Sequence, residues 1–264
     1  MLYCFWKNVI IRLIDIAQKK EEENMYSFDS YIRYSEVDSE LNLKLTSLLD
    51  YLQDCCIFQS EELGIGIDYL AKNHLAWVLS SWEIRIFRYP RMGESVAVGT
   101  WPYHFKGFYG YRNFLVKDAE NQTLAEANSL WVLMDTQTMH PVRISEELKQ
   151  IYRPGFGDAL EGTWADRKIP LPETSVPKEP VKVARFHIDT NHHVNNGKYV
   201  LVAEEYLPEG FAVSGLRAEY KKAAVLGDTL YPRVSCTDGC VTVVIGDEEG
   251  MPYAVIQFLG KEGR

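Results

Sequence analysis

Hydrophobic residues recur at helical spacing in one long segment of the first half of the chain. Between Leu45 and Leu63 the apolar side chains repeat every three or four residues, which places them in one stripe on a helix. Gly64 and Gly66 follow the stripe, and glycine commonly ends a helix because it adopts positive φ at little cost. The pattern predicts one long helix that packs a single face against a core.

Alternation of apolar and polar residues flanks this helix and is typical of strands half-buried in an antiparallel sheet. Trp82, Ile84 and Ile86 show the alternation clearly. Turn-forming residues separate the alternating segments. We predict strands at residues 26–36, 76–87, 95–103, 107–117 and 123–134.

The same succession returns in the second half. Residues 183–188 predict a strand, and residues 194–207 carry Tyr199, Ala203 and Tyr206 at helical spacing before Pro208 ends the run. Further strands are predicted at residues 215–222, 229–236, 241–245 and 253–259.

Short motifs align the two halves. Val37-Asp38 before the first helix matches Ile188-Asp189 before the second. A long helix followed by an antiparallel sheet, twice over, predicts an internal duplication of an α+β unit. We expect a first domain at residues 25–150 and a second at 181–264.

The segment between these domains, residues 151–180, carries five prolines and predicts a connection that wraps the surface. Residues 1–24 form an extension whose apolar stripe is interrupted by Lys7, Arg12 and Asp15. It is either an amphipathic segment that touches a membrane or caps the fold, or sequence upstream of a start at Met25. The second interpretation is favoured.

Composition narrows the class of protein. With 264 residues, of which 46% are hydrophobic, the chain can bury a large core. Lys and Arg number 28 against 37 Asp and Glu, and the net charge of −9 argues against nucleic-acid binding. No apolar run is long enough for stable membrane insertion, and the five cysteines are expected as reduced thiols. We expect a cytoplasmic protein; the sequence does not specify its oligomeric state.

Three polar side chains stand directly before the second helix. Asp189, Asn191 and His193 occupy alternate positions, which point the same way only in an extended chain. The pattern predicts an extended arm that presents a carboxylate, an amide and an imidazole, groups that can orient water or polarise a carbonyl. Glu40 and Asn42 stand at the last two positions in the first half, so the trio is complete only in the second.

The start of the second helix offers backbone N–H groups without helical partners. We expect those of Val194 and Asn195 to stabilise an oxyanion. A purely structural interpretation, in which Asp189 or Asn195 caps the helix, explains one of these residues but not three polar ones at alternating positions.

A metal site is a further interpretation of the same segment. His187, Asp189, His192 and His193 are potential ligands, but His192 and His193 point opposite ways in an extended chain, so we expect no metal. No serine or cysteine stands in a recognisable nucleophile motif.

The segment DTNHHVNNGKY at residues 189–199 resembles the D-x-N-x-H-V-N-N-x-K-Y signature of the acyl-acyl-carrier-protein thioesterases. The segments WEIRIFRYPRMGESVAVGTWP and SLWVLMD resemble that family's N-terminal domain, and the resemblance covers about residues 26–259. It implies two fused hot-dog domains, each a long helix wrapped by an antiparallel sheet. It also implies cofactor-free hydrolysis of the thioester between a fatty acyl chain and the carrier's phosphopantetheine arm.

The resemblance assigns catalytic positions to Asp189, Asn191 and His193 and an acyl pocket to the first domain. The next strand departs from the family's E-Y-[RK]-[RK]-E pattern, often followed by cysteine, because Ala223 and Ala224 replace the glutamate and the cysteine. General acid–base help is typically worth ~10²–10⁴ in rate, so turnover is expected to be low. We expect His193 and Asn191 to position the water and Asp189 to orient the pair.

An acidic carrier protein needs a basic contact, and Arg217, Lys221 and Lys222 follow one another on the predicted strand. Solvated charges at a strand edge are the alternative. Two other functions stay open: an acyl-CoA thioesterase of the same architecture, and a non-catalytic acyl-carrier-binding protein, which the two alanines favour.

Overall fold

The computed structural model describes residues 25–260, so the expectations for residues 1–24 lie outside the described residues. The first half contains β1 (Tyr26–Tyr31), α1 (Leu45–Glu62), α2 (Ile67–Lys72), β2 (Leu75–Ile86), β3 (Ser95–Lys106), β4 (Tyr109–Asp118), β5 (Thr123–Asp135), β6 (His140–Pro141) and α3 (Glu146–Tyr152). The second half contains β7 (Val176–Pro177), β8 (Val181–Lys182), α4 (Asn196–Glu204), β9 (Val213–Tyr220), β10 (Thr229–Thr237), β11 (Cys240–Gly246) and β12 (Pro252–Gly260).

The strands of both halves form one twelve-stranded antiparallel sheet. Its main order is β1-β3-β4-β5-β2-β9-β12-β11-β10-β7, with β6 beside β5 and β8 beside β10. β2 and β9 join the halves, in a register that pairs Ser81 with Glu219 and Arg85 with Gly215. The two halves therefore share a continuous sheet.

The inner face of the sheet packs against α1 and α4, which also contact each other. Leu52 of α1, Val200 of α4 and Phe114, Leu216 and Ile256 of the sheet belong to one buried cluster that spans both halves. Each half contributes one long helix and one set of antiparallel strands, so the predicted α+β duplication is confirmed. The domain boundaries stay a prediction.

Two predicted elements differ from the structure at the segments that precede the helices. The strand predicted at residues 183–188 is wrong, because residues 185–187 form a 3₁₀ turn closed by the Ala184 N–H, which donates to His187 Nδ1 at 2.9 Å. β1 ends at Tyr31, and a matching 3₁₀ turn follows in which the Arg33 N–H donates to Glu36 Oε2 at 2.8 Å. A side chain that accepts a backbone hydrogen bond thus interrupts both strands.

The connection between the halves crosses the outer face of the sheet. Trp101 Nε1 donates to the Asp158 carbonyl at 2.7 Å. Further along, the Arg85 guanidinium lies 4.0 Å from the centre of the Trp164 ring. These contacts fix the connection across the sheet on the side opposite the helices.

Candidate functional site

The polar trio lies on a tight turn, and the predicted extended arm is wrong. Ile188 and Val194 form an isolated antiparallel bridge that closes the turn. The Asp189 N–H donates to the His193 carbonyl at 2.9 Å, and His192 adopts φ +62°. The physical cause is Asp189 Oδ1, which accepts the Asn191 N–H at 2.8 Å and so stabilises the reversal.

The first half contains the same turn. Asp38 Oδ1 accepts the Glu40 N–H at 2.9 Å, the Asp38 N–H donates to the Asn42 carbonyl at 2.8 Å, and Leu41 adopts φ +66°. Val37 and Leu43 form the closing bridge. The correspondence of Glu40 and Asn42 with Asn191 and His193 is therefore confirmed.

A cavity of about 700 Å³ opens beside the turn of the second half. Asp189, Asn191 and His193 all line it, whereas the turn of the first half does not contribute to its lining. Asn191 is exposed, and the other two side chains are half-buried. No hydrogen bond among the described residues joins the three side chains, so the imidazole and the amide remain available to a ligand.

The cavity forms where β2 and β9 separate. Their pairing ends at Ser81 and Glu219, and beyond that point residues 75–79 and 220–223 both line the cavity. Side chains alternate along a strand, so five consecutive lining residues show that the cavity reaches the edge of β2. Most of the remaining lining residues belong to the first half.

The prediction of Val194 and Asn195 as oxyanion donors is wrong, because both N–H groups are already engaged. The Val194 N–H donates to the Ala224 carbonyl at 2.9 Å, and the Asn195 N–H donates to the His187 carbonyl at 2.8 Å. The capping interpretation is confirmed for Asn195, whose Oδ1 accepts the Gly197 N–H at 2.8 Å.

Asn196 supplies a donor that the sequence analysis missed. It is the first residue of α4 and lines the cavity, and its N–H has no acceptor among residues 25–260. The sequence does contain a signal for this donor, the pair Asn195-Asn196. Asparagine is a strong N-cap residue, so Asn195 caps the helix and Asn196 becomes its first residue.

The two alanines occupy different environments. Ala223 is exposed and lines the cavity, whereas Ala224 is fully buried. The Ala224 N–H donates to the Tyr199 hydroxyl at 2.9 Å, and burial raises the pKa of Tyr199 to about 12, which keeps it protonated at neutral pH. Among the described residues that line the cavity, Asp189 carries the one carboxylate.

The three predicted carrier-binding cations do not form one patch. Arg217 alternates with buried Leu216 and so points to the outer face, where its Nη2 donates to the Asp166 carbonyl at 2.6 Å. The prediction that Arg217 forms a carrier-binding patch with Lys221 and Lys222 is therefore wrong. Lys221 and Lys222 do line the cavity, paired with Glu219 Oε1 at 2.7 Å and Asp247 Oδ2 at 3.0 Å.

Residues 25–260 contain no group of three or more His, Cys, Asp or Glu side chains that could hold a metal ion. His187 is buried, its Nδ1 accepts the Ala184 N–H, and burial lowers its pKa, so the ring stays neutral at pH 7. No helix in this part of the chain is long and apolar enough to cross a membrane.

One antiparallel sheet around two helices, with a polar turn and a free helix N-terminus facing a deep cavity, defines a double hot-dog protein of the thioesterase class. The chain belongs to the acyl-ACP thioesterase family. Sequence models of that family's N-terminal and C-terminal domains match residues 21–152 and 172–237.

Relatives and solved structures agree with this assignment. The palmitoyl-acyl carrier protein thioesterase of Gossypium hirsutum is 25% identical over 237 residues, covering 82% of this chain and 57% of that protein. Oleoyl-acyl carrier protein thioesterase 1 of Arabidopsis thaliana is 26% identical over 204 residues, covering 72% and 56%. The chain thus spans about half the length of the curated relatives it matches.

Two solved structures share the fold. An acyl-ACP thioesterase from Bacteroides thetaiotaomicron superposes with a TM-score of 0.81 at 20% identity, covering 90% of this chain and 98% of that one. The 12:0-ACP thioesterase from Umbellularia californica gives 0.80 at 23% identity, covering 89% and 96%. The predicted pair of fused hot-dog units is confirmed.

Proposed function

We propose that this chain hydrolyses the thioester between a fatty acyl chain and acyl carrier protein and releases the free fatty acid. The observation that carries the proposal is the turn at residues 189–193, whose three polar side chains face a cavity at the start of α4. Membership of the acyl-ACP thioesterase family supports the same reaction, and the relatives named above carry it in their names.

The proposed reaction needs a positioned water and a stabilised oxyanion. His193 and Asn191 hold the water against the thioester carbon, and the Asn196 N–H donates to the carbonyl oxygen as negative charge develops there. Asp189, held in place by the Asn191 N–H that donates to its Oδ1, orients this pair. Water forms the new C–O bond and gives a proton to the His193 imidazole, the C–S bond breaks, and the departing thiolate takes up that proton.

The experiment that tests the proposal compares the two equivalent turns. His193→Ala is expected to lower kcat for free-thiol release from acyl carrier protein by ~10²–10⁴, the usual worth of acid–base assistance. Asn42→Ala makes the matching change in the first half, whose turn does not line the cavity, and is expected to leave the rate unchanged. Equal rates for His193→Ala and the wild type would contradict the proposal.

Ala223 favours a second candidate, a non-catalytic protein that binds acyl-carrier substrates, because no carboxylate stands at that lining position. Tight binding of acyl carrier protein without any thiol release would support it. Parallel assays with acyl-CoA distinguish an acyl-CoA thioesterase, which would not need the carrier.

The cytoplasmic location stays a proposal, and cell fractionation tests it.

A further inference from the structure

Arg112 is a buried cation in the wall of the cavity. It lies on β4, is 7% exposed and lines the cavity. No ion pair joins it to a carboxylate anywhere in residues 25–260. Arginine keeps its charge in proteins, and a buried charge is normally paired. A buried guanidinium that faces a cavity without a counter-charge therefore points to an anionic ligand.

The hydrogen bonds that Arg112 makes leave one edge of its guanidinium free. Nη1 donates to Gln59 Oε1 and to Thr100 Oγ1, the latter at 3.1 Å. Nε and Nη2 have no acceptor in the described part of the chain. These two nitrogens form one side of the planar group, and their N–H bonds run parallel, so this side matches the two oxygens of a carboxylate. A neutral hydroxyl fills only one of the two positions.

The side chains around Arg112 add a further donor without an acceptor. The guanidinium carbon lies 5.8 Å from the centre of the Tyr152 ring, and the Tyr152 hydroxyl lies 3.3 Å from Ser60 Oγ. Trp77, whose ring centre is 6.5 Å from that of Tyr152, has a buried Nε1 with no acceptor among the described residues. All four side chains line the cavity.

A donor that loses water without gaining an acceptor carries its full desolvation penalty, and an alkyl chain offers no acceptor. This part of the wall therefore favours a ligand that brings oxygen atoms with it. The positive charge and the parallel N–H bonds of Arg112 select a carboxylate among such ligands.

We propose that the free edge of Arg112 binds a carboxylate carried by an alkyl chain inside the cavity. The inference rests on the proposed function for the kind of chain, because thioester hydrolysis brings an acyl chain to the cavity and leaves a fatty acid there. Two molecules supply this chemistry. One is an acyl substrate with a second carboxylate on its chain, and the other is the released fatty acid, which inhibits the enzyme by occupying the cavity.

The first test measures binding to the whole protein by calorimetry at pH 8, where a fatty acid is ionised. Octanoate is expected to bind about 10-fold or more tightly than 1-octanol, because the carboxylate gains charge-assisted hydrogen bonds. Arg112→Met keeps most of the bulk of the side chain, removes the charge and is expected to abolish this preference. No preference in the wild type, or the same preference in folded Arg112→Met, would overturn the proposal.

Gln59→Glu tests the same site should thermal melting show that Arg112→Met does not fold. The new carboxylate lies against Arg112 Nη1 and neutralises the cation from within the protein, so octanoate affinity is expected to fall about 10-fold. Gln53→Glu is the matched control, because Gln53 also lies on α1 and lines the cavity but has no hydrogen bond to Arg112. A loss in Gln59→Glu no larger than in Gln53→Glu would overturn the proposal.

Kinetics distinguish the two sources of the carboxylate. Free-thiol release is measured for two carrier substrates of equal chain length, one ending in a methyl group and one in a carboxylate. A higher kcat/KM for the carboxylate-ended chain, lost in Arg112→Met, identifies the substrate as the source. Competitive inhibition by octanoate that is lost in the same variant, without that substrate preference, identifies the released fatty acid.

Absence of both kinetic effects in an active enzyme would overturn the proposal. Absence of thiol release from every carrier substrate would instead overturn the proposed function, and the calorimetric comparison would still decide whether Arg112 binds a carboxylate.

Discussion

The backbone of Ala224 is bonded to the Tyr199 hydroxyl, which accepts its N–H at 2.9 Å. The carbonyl of Ala224 accepts the Val194 N–H, also at 2.9 Å. All three residues are buried. The segment that follows β9 therefore holds both the polar turn and the first turns of α4 in place.

Tyr199→Phe is expected to lower the free energy of unfolding by ~1–3 kcal/mol, because the buried Ala224 N–H loses its acceptor. Urea titration followed by fluorescence measures the change. Tyr220→Phe is the matched control: its hydroxyl donates to the Asn196 carbonyl at 3.2 Å from a half-buried position, and a smaller loss is expected. Equal losses in the two variants would show that the Ala224 contact contributes nothing special.

Ala223→Glu is expected to raise kcat for acyl-carrier hydrolysis by ~10² or more, because it places a second carboxylate on the lining beside the trio. Ala223 is exposed, so the longer side chain can reach the cavity without displacing the core. Steady-state thiol release measures the gain. Ala223→Gln has nearly the same size without the charge and should gain little; a rate for the glutamine variant equal to that of Ala223→Glu would exclude base catalysis.

Periodic patterns predicted the parts of the fold that depend on burial. The apolar stripe that starts at Leu45 predicted α1, and the alternation of apolar and polar residues around Trp82 predicted β2. Both patterns arise because each element buries one face. The duplication followed from the motifs at Asp38 and Asp189, which turn out to stabilise equivalent turns. The aspartate recurs in the two halves because it stabilises the same turn in each.

The site itself was only partly predictable. Alternating polar residues fit an extended arm as well as a turn, and the difference depends on Asp189 Oδ1 and on φ +62° at His192, which no local pattern reveals. The engaged Val194 N–H depends on a partner thirty residues further along the chain, Ala224. The cavity arises from the register at Ser81 and Glu219, which is a property of the assembled sheet.

Lys222→Gln is expected to raise KM for the carrier-bound substrate about two- to fivefold, because it removes one exposed charge that an acidic carrier can contact. Lys222 lines the cavity with a side chain that is 57% exposed, so it can meet an acidic carrier. Lys149→Gln is the control, since Lys149 is also in an ion pair but does not line the cavity. A KM that rises equally with acyl-pantetheine lacking the carrier protein would rule out a carrier contact.

Glu204, the last residue of α4, makes stability depend on pH. Burial, and secondarily the charge of Glu205, raises the pKa of its carboxyl from 4.5 to about 7. The folded state therefore binds the proton more tightly than the unfolded state, and this contribution to stability is complete below pH 4.5 and is lost as the pH rises through 7.

Glu204→Gln removes the loss and is expected to raise the free energy of unfolding by ~1–3 kcal/mol at pH 8 relative to the wild type, with little difference at pH 4.5. Urea unfolding at the two pH values measures it, with exposed Glu209→Gln as the control. A stability difference between Glu204→Gln and the wild type that is the same at both pH values would contradict the assignment.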